Sequence, residues 1–424
     1  MSTEVQASPS LPEQKPPEGG GIFHTFRASR NFTALWSGQT MSRFGDVLMQ
    51  FMLPLIVYDI SSSTVAMGTI MMLLLIPQVI LLPFTGLLVD RLNRVRLMIV
   101  TDVVRLGLMA YLVAMSMVGT LSMTSLYVFA VVAGAMSAIF NPAYGAVRAQ
   151  VFTPEIRNAA NSLTQSSNQL AQLVGPSLAG LLLGVTSYAF GLGVDAATFL
   201  ASILSLLLLR LPKRVREKQP WSLRAFGEDL LGGYRVLRQH AWLWITILAF
   251  CFINIASSGI IAILLPWLVK VHLGWNELSY GLILSASGVG ALLSATIWGR
   301  RNVWPKRGIL AYLATSLCGV ALLGMAFAEQ LWLLVLLNAL QGGVIMIFGL
   351  VWEGSLQELV PEEAFGRVYS LDMFGSIALM PIGFMLTGWL AEVYGGLQVM
   401  IVEGSMVAIG AALMLLVPAI RRFE

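Results

Sequence analysis

Runs of about 20 apolar residues recur along the whole of this 424-residue chain, each long enough to cross a hydrocarbon layer about 30 Å thick. No water in that layer receives backbone N–H and C=O groups, so such runs must close their hydrogen bonds internally, as helices. Twelve spans can be drawn, at about 31–59, 64–89, 96–117, 121–148, 158–186, 189–210, 241–270, 276–300, 308–328, 330–352, 366–393 and 396–419. The chain is 57% hydrophobic and 11% charged, too little polar surface for a soluble protein of this size. The expected fold is an all-α polytopic membrane protein with 12 transmembrane helices in two six-helix halves.

Charge sets the sidedness. Of the 26 Lys and Arg, 23 fall in the N-terminal tail, the bends after even-numbered spans and the C-terminus. Arg43 and Arg105 lie within spans, and Lys270 lies on the other side. Basic residues stay cytoplasmic, so both termini are expected there, in a cell membrane. Residues 1–25, rich in Pro, Glu, Ser and Gly, read as a disordered cytoplasmic tail, and no cleaved signal peptide is expected. Residues 211–240 carry seven basic and three acidic residues and read as a cytoplasmic linker holding an amphipathic surface helix. It separates a half at 26–210 from a half at 241–424.

The halves share a faint repeat. A shift of 208 positions brings VGPSLAGLL onto IGFMLTGWL, Trp36 onto Trp244, Asp46 onto Asn254 and Asp195 onto Glu403. Six spans per copy keep both copies in the same orientation. Cys251 and Cys318 lie in apolar runs, His24, His240 and His272 are scattered, and no metal-ligand spacing or phosphate-binding glycine loop occurs. Neither an enzyme, a nucleic-acid partner nor a cofactor is expected, and ATP does not drive the chain directly.

The bend after the second span concentrates charge. GLLVDRLNRVR places Gly86, Asp90, Arg91, Arg94 and Arg96 between two apolar segments. A turn this short must be charged enough not to sink into lipid, and Gly86 permits close helix contact. The stretch resembles the signature loop of the major facilitator superfamily, G-x-L-a-D-R-x-G-R-[RK], with Asn93 at the usual Gly and Val95 before the second basic residue. The resemblance implies two rocking halves and a conformational latch, in which Asp90 meets the start of the eleventh span. Asp102 and Arg105, spaced i, i+3, are expected to extend that network. The equivalent second-half bend has Arg300, Arg301, Lys306 and Arg307 but no Asp. In the fifth span AQLVGPSLAG resembles the superfamily's antiporter motif, with Gly175 and Pro176 as a kink, Gly180 as a close contact, and Ala171 and Ala179 replacing glycines. With FTALWSGQTMSRFGD, IFNPAYGAVRAQ and NSLTQSSNQLAQ, these motifs resemble the macrolide-efflux and enterobactin-exporter branch, which implies drug:proton antiport.

Ionisable groups within spans cost at least ~2.5 kcal/mol each near the bilayer centre, so each marks a candidate site. Asp46, with Arg43 beside it at i−3, is the first choice for the coupled proton, and Asp372 is another. A carboxylate facing a cavity can take up and release a proton as its surroundings change. Trp36, Asn254, Asp195, Glu403 and Trp352 are candidates to line a substrate cavity. The expected function is proton-coupled export of a hydrophobic or amphipathic small molecule, by a monomer in the lipid bilayer. A lipid or lysolipid flippase and a non-transporting sensor are the alternatives. The sidedness is directly measurable: a fluorescent protein fused at Glu424 should fluoresce, and a phosphatase there should be inactive. The opposite pair of results would overturn the topology.

Overall fold

The computed structural model describes residues 29–211, 223–299 and 306–423, without the side chains of residues 82, 83, 86, 87, 90 and 223–230. The expected tail at 1–25, most of the early linker, Arg300 and Arg301 lie outside the described residues. Among the described residues the chain is all helix. The first half holds α1 (Arg30–Ser61), α2 (Thr64–Arg91), α3 (Arg94–Val118), α4 (Met123–Val151), α5 (Arg157–Val185) and α6 (Tyr188–Leu207). The linker forms α7 (Leu223–Gln239). The second half follows with α8 (Ala241–His272), α9 (Glu277–Trp298), α10 (Arg307–Met325), α11 (Leu331–Leu359), α12 (Glu362–Ile377), α13 (Met380–Tyr394), α14 (Gly396–Met414) and the short α15 (Pro418–Arg421).

Eleven segments are long and apolar enough to cross a membrane, α12 and α13 counting as one. The twelfth span is α5, as long as α4 but diluted by NSLTQSSNQ. Five of the bends end in a side-chain cap. Ser63, Asn93, Ser122, Ser187 and Asn276 are N-caps whose side chains accept the otherwise unpaired N–H three residues on. Asn93, where the superfamily pattern has Gly, accepts from Arg96 N at 3.1 Å and starts α3 after a bend of two residues. Bends after α2, α4, α6, α9 and α11 lie on one face of the bundle, here the basic face; the others define the far face.

The two halves pack alike. In the first, α2 packs on α4, α1 on α5 and α6, and α3 on α4 and α6. In the second, α9 packs on α11, α8 on α13 and α14, and α10 on α11 and α14. The internal repeat is thus visible as one packing scheme used twice.

Two spans of the second half are irregular. Pro266 in α8 lacks an N–H and crowds the preceding turn, and wide π turns at Ile260–Leu264 and Leu268–His272 flank it. Between α12 and α13 the helix is interrupted ahead of Pro381. There Asn254 of α8 donates to the Ser376 carbonyl at 3.2 Å, a second partner for backbone at a weak point.

The halves meet mainly along α5–α9 and α2–α13. Backbones approach closely because Gly180 faces the Glu277 carbonyl, Gly281 faces the Pro176 carbonyl and Gly68 faces Phe384. Ser177 donates through N and Oγ to Ser285 Oγ, at 3.0 and 2.7 Å. These contacts lie on the far side of the molecule's midplane. Toward the basic face α12 turns instead onto α7 and α8, and the halves part. A Ser177→Cys/Ser285→Cys pair, in a background lacking Cys251 and Cys318, should therefore cross-link under mild oxidation. Adding Gly281→Val, which wedges α9 from α5, should cut the yield several-fold; equal yields would refute this packing.

Candidate functional site

Where the halves part, they enclose a chamber of about 690 Å³ near the centre of the bundle. Its wall draws on α1 to α6 and on α8, α9, α11 and α13. The two sides differ in chemistry. Among the described residues the charged side chains in the wall, Asp46, Arg105 and Asp195, come from the first half, together with Gln50, Gln78, Gln169 and Gln172. The second half supplies Ile261, Tyr280, Leu284, Met346, Met380 and Phe384, relieved by Ser287, Asn338 and Gln341. Such a wall offers hydrogen bonds and charge on one side and apolar surface on the other.

The charged side is built around Arg105. Its Nη2 donates to Ser137 Oγ at 2.8 Å, and its Nη1 lies 3.7 Å from Asp102 Oδ1. The guanidinium also lies over the rings of Phe140 and Phe199, 5.0 and 5.7 Å from their centroids. Asp102 is fully buried and accepts from Ser202 Oγ at 2.6 Å, and Ser202 in turn accepts from Gln39 Nε2 at 2.8 Å. Gly45 lets Asp195 and Thr198 of α6 press against α1. Asp195 is 1% exposed, accepts from Thr198 Oγ1 at 3.3 Å and has no partner at Oδ2. Asp46 differs: its side chain is 39% exposed to the chamber, and Arg43 stands 3.9 Å away.

Other predicted residues fall elsewhere. Asp102 and Arg105 belong to the chamber wall and its support, not to the 92–93 bend. From their place in α3 they turn inward toward α4 and α6, away from the bend. The backbone at Gly86 and Asp90 is helical, but the Asp90 side chain and the surroundings of Gly86 lie outside what the structure describes. Arg91 and Arg96 are exposed and Arg94 is half-buried. Trp36, Asn254, Trp352, Asp372 and Glu403 do not line the chamber. Trp36 Nε1 donates to Ser167 Oγ at 3.1 Å, tying α1 to α5. Trp352 lies in an aromatic cluster with Trp242 and Phe348 and donates to Asp372 Oδ2 at 3.1 Å. Glu403 is buried between α14 and α13, where Thr387 Oγ1 donates to it at 2.5 Å. Repeat-equivalent depth does not give equal orientation: Asp195 faces the chamber and Glu403 faces a neighbouring helix. In α5, Pro176 lines the chamber, Gly175 packs against Val47 and Gly180 meets α9.

The carboxamides were not singled out from sequence. Their signal was the polarity of α5, where Gln169 and Gln172 share a face. The chamber is closed beyond this level by a charged cluster joining the halves. Lys270 Nζ of α8 donates to Asp59 Oδ2 of α1 at 2.6 Å and to Tyr188 OH of α6 at 2.8 Å, and Glu277 Oε1 lies 3.7 Å away. Among the described residues no group of His, Cys, Asp and Glu is arranged to hold a metal.

A family model described as transmembrane secretion effector matches residues 23–424. The chain belongs to this family. It is a transporter of the major facilitator superfamily, not an enzyme, and it moves a small molecule across a membrane. The transporter is 23% identical over 406 residues to macrolide efflux protein A of Streptococcus pyogenes, covering 93% of this chain and 97% of that one. To the multidrug efflux pump Tap of Mycolicibacterium fortuitum it is 25% identical over 356 residues, covering 81% and 84%. Its fold matches the crystal structure of a bacterial homologue of the iron transporter ferroportin in an inward-facing state. The TM-score is 0.66 at 17% identity, over 90% of this chain and 99% of that one. These relatives differ in what their names say they carry, so the family is shown and the macrolide branch is not singled out.

Removing one partner of a buried ion pair costs on the order of 3 kcal/mol, because the other charge remains buried. Arg105→Gln should therefore lower the melting temperature of the detergent-purified transporter by several degrees. Adding Asp102→Asn should recover part of that loss. No recovery would show that Arg105 does not act as the counter-charge of Asp102.

Proposed function

We propose that this transporter exports a bulky amphipathic molecule by proton antiport, with the basic face in the cytoplasm of a bacterium-type plasma membrane. One observation carries the reading: the chamber sets charge and carboxamides on one wall against an apolar wall on the other. An amphipathic cargo can satisfy both at once, whereas a small polar solute would leave the second half's apolar surface wet. The 23% and 25% identities to efflux proteins over most of the chain support the same direction. Entry is from the basic face, where the halves part, and the cycle is completed by rocking them so that the far face opens.

Asp46 is the proposed proton carrier. Among the chamber carboxylates it is the accessible one, and its ion pair with Arg43 is long enough to exchange for a contact with cargo. Arg105 supplies the fixed positive charge of the wall, and Asp195 is the second proposed proton site. At the basic face, Gly86, Asp90, Arg91, Arg94 and Arg96 are proposed to latch the halves when the chamber faces outward. The transporter is proposed to work as a monomer, since each chain encloses its own chamber.

Asp46→Asn should insert and fold, because the amide is nearly isosteric and faces the chamber. Reconstituted in proteoliposomes with an imposed pH gradient, it should fail to concentrate an amphipathic substrate yet still equilibrate it downhill. Asp46→Glu should keep part of the uphill activity. Uphill transport by Asp46→Asn at the parental rate would move the proton to another group, Asp195 being the next to substitute.

A further inference from the structure

Helices α2 and α13 run antiparallel, so on the far face the N-terminus of α2 meets the C-terminal end of α13. A helix N-terminus presents N–H groups without intrahelical partners and carries partial positive charge. Ser63 satisfies one of those groups, accepting from Ala66 N at 3.3 Å. Another, Thr64 N, is taken by the other half of the molecule. Thr64 N, Thr64 Oγ1 and Ser63 Oγ all donate to a single atom, Glu392 Oε2, at 2.9, 3.0 and 3.1 Å. One turn earlier in α13, the Gly388 carbonyl lies 2.9 Å from Thr64 Oγ1 and shares its single hydroxyl hydrogen with Glu392. A side chain at Gly388 or Gly68 would separate the two backbones.

We propose that Glu392 is a gating residue of the transport cycle: as the cap of α2, its carboxylate latches the far face shut, and the chamber opens there only when this cap is broken. The proposal rests on the alternating-access reading above. Four features make the contact a latch and not a fixed strut. It joins the two halves, not two helices of one half. It lies at the end of the interface that must part if the far face is to open. It consists of hydrogen bonds from backbone and hydroxyl groups; Glu392 is exposed while Thr64 is buried beneath it at 4% exposure, so parting of the halves is itself what brings water to the Thr64 donors. And its three bonds to Glu392 converge on one oxygen atom, so loss of that carboxylate releases all three together. A latch of this kind biases a two-state equilibrium by a modest factor, which a device broken on every cycle requires. Asp90 stands one residue from the C-terminal end of α2, as Glu392 stands two from the end of α13. The antiparallel pair thus carries an acidic residue near the C-terminal end of each member.

Distances across the far face test this without substrate, so failure would leave the export reading standing. Spin labels at Thr120→Cys and Gln330→Cys, both exposed on far-face bends, would be measured by pulsed dipolar spectroscopy in a background lacking Cys251 and Cys318. Glu392→Gln should shift the population toward the longer distance on the order of tenfold, the worth of one charge-assisted hydrogen bond. Thr64→Val, which removes one donor and keeps the shape, should shift it the same way by less, and Glu392→Asp should stay nearer the parent. A Glu392→Gln protein with a lowered melting temperature and an unchanged distance distribution would overturn the proposal. So would an unchanged distribution at an unchanged melting temperature.

Discussion

A charge placed inside a bilayer must be solvated by the protein itself, and the first half of this transporter is organised around that demand. Arg105 would be costly in mid-membrane. It is tolerated because Asp102 neutralises it, Ser137 accepts from it, and two aromatic rings lie against its face. Each of those partners needs support in turn. Asp102 needs Ser202, Ser202 takes the amide of Gln39, and the approach of α6 to α1 that brings this set together needs Gly38 and Gly45. Substituting either glycine would place a side chain on Ser205 or Thr198. The polar wall of the chamber follows from those packing requirements and is not decoration added to a finished bundle.

The second half answers to a different constraint. It repeats the packing of the first but, among the described residues, puts no charge into the chamber, and its irregularities are in the backbone. The π turns around Pro266 and the interruption ahead of Pro381 both fall in spans that line the chamber. Bent helices re-satisfy freed carbonyls with neighbouring side chains or local turns, as Asn254 does for Ser376. A scaffold duplicated in sequence has thus diverged into a half that carries charge and a half that carries curvature. Asp46 and its repeat partner Asn254 show the division: one faces the chamber, the other braces a helix break.

Much of this was legible in the sequence. Hydropathy located all twelve spans, even polar α5, because backbone hydrogen bonding leaves a membrane chain no other option. Basic residues marked one face for the same electrostatic reason. The chamber was only partly legible. Asp46 and Asp195 stood out because an ionisable group inside a span is costly. Arg105 and Asp102 stand out equally, but as an extension of the latch network, since sequence spacing fixes depth and i, i+3 neighbours while rotation about the helix axis is set by packing. The same ambiguity put Glu403 and Trp352 on the cavity list. Carboxamides were missed because a single Gln costs far less than a charge, so only their accumulation along α5 carried a signal. Glu392 was invisible, since an acidic residue at a span's end looks like ordinary solvated surface until its antiparallel partner is known.

The two faces of the molecule are closed by unlike means, and this bears on how the halves move. On the far face, glycine-mediated backbone contact brings the halves close, and there, among the described residues, polar groups such as Ser177, Thr64 and Lys270 reach across. Close approach of backbones gains dispersion energy that falls off within an ångström, while the hydrogen bonds of these hydroxyl and ammonium groups can be exchanged for water once the halves separate. Such an interface is stable when closed and comes apart over a short displacement, without a deep well in between. On the basic face, α12 is held by α7 and α8 and its path diverges from that of α13 at the break. Closing that side can therefore draw on bending at residues 378–379 as well as on rotation of the halves as bodies.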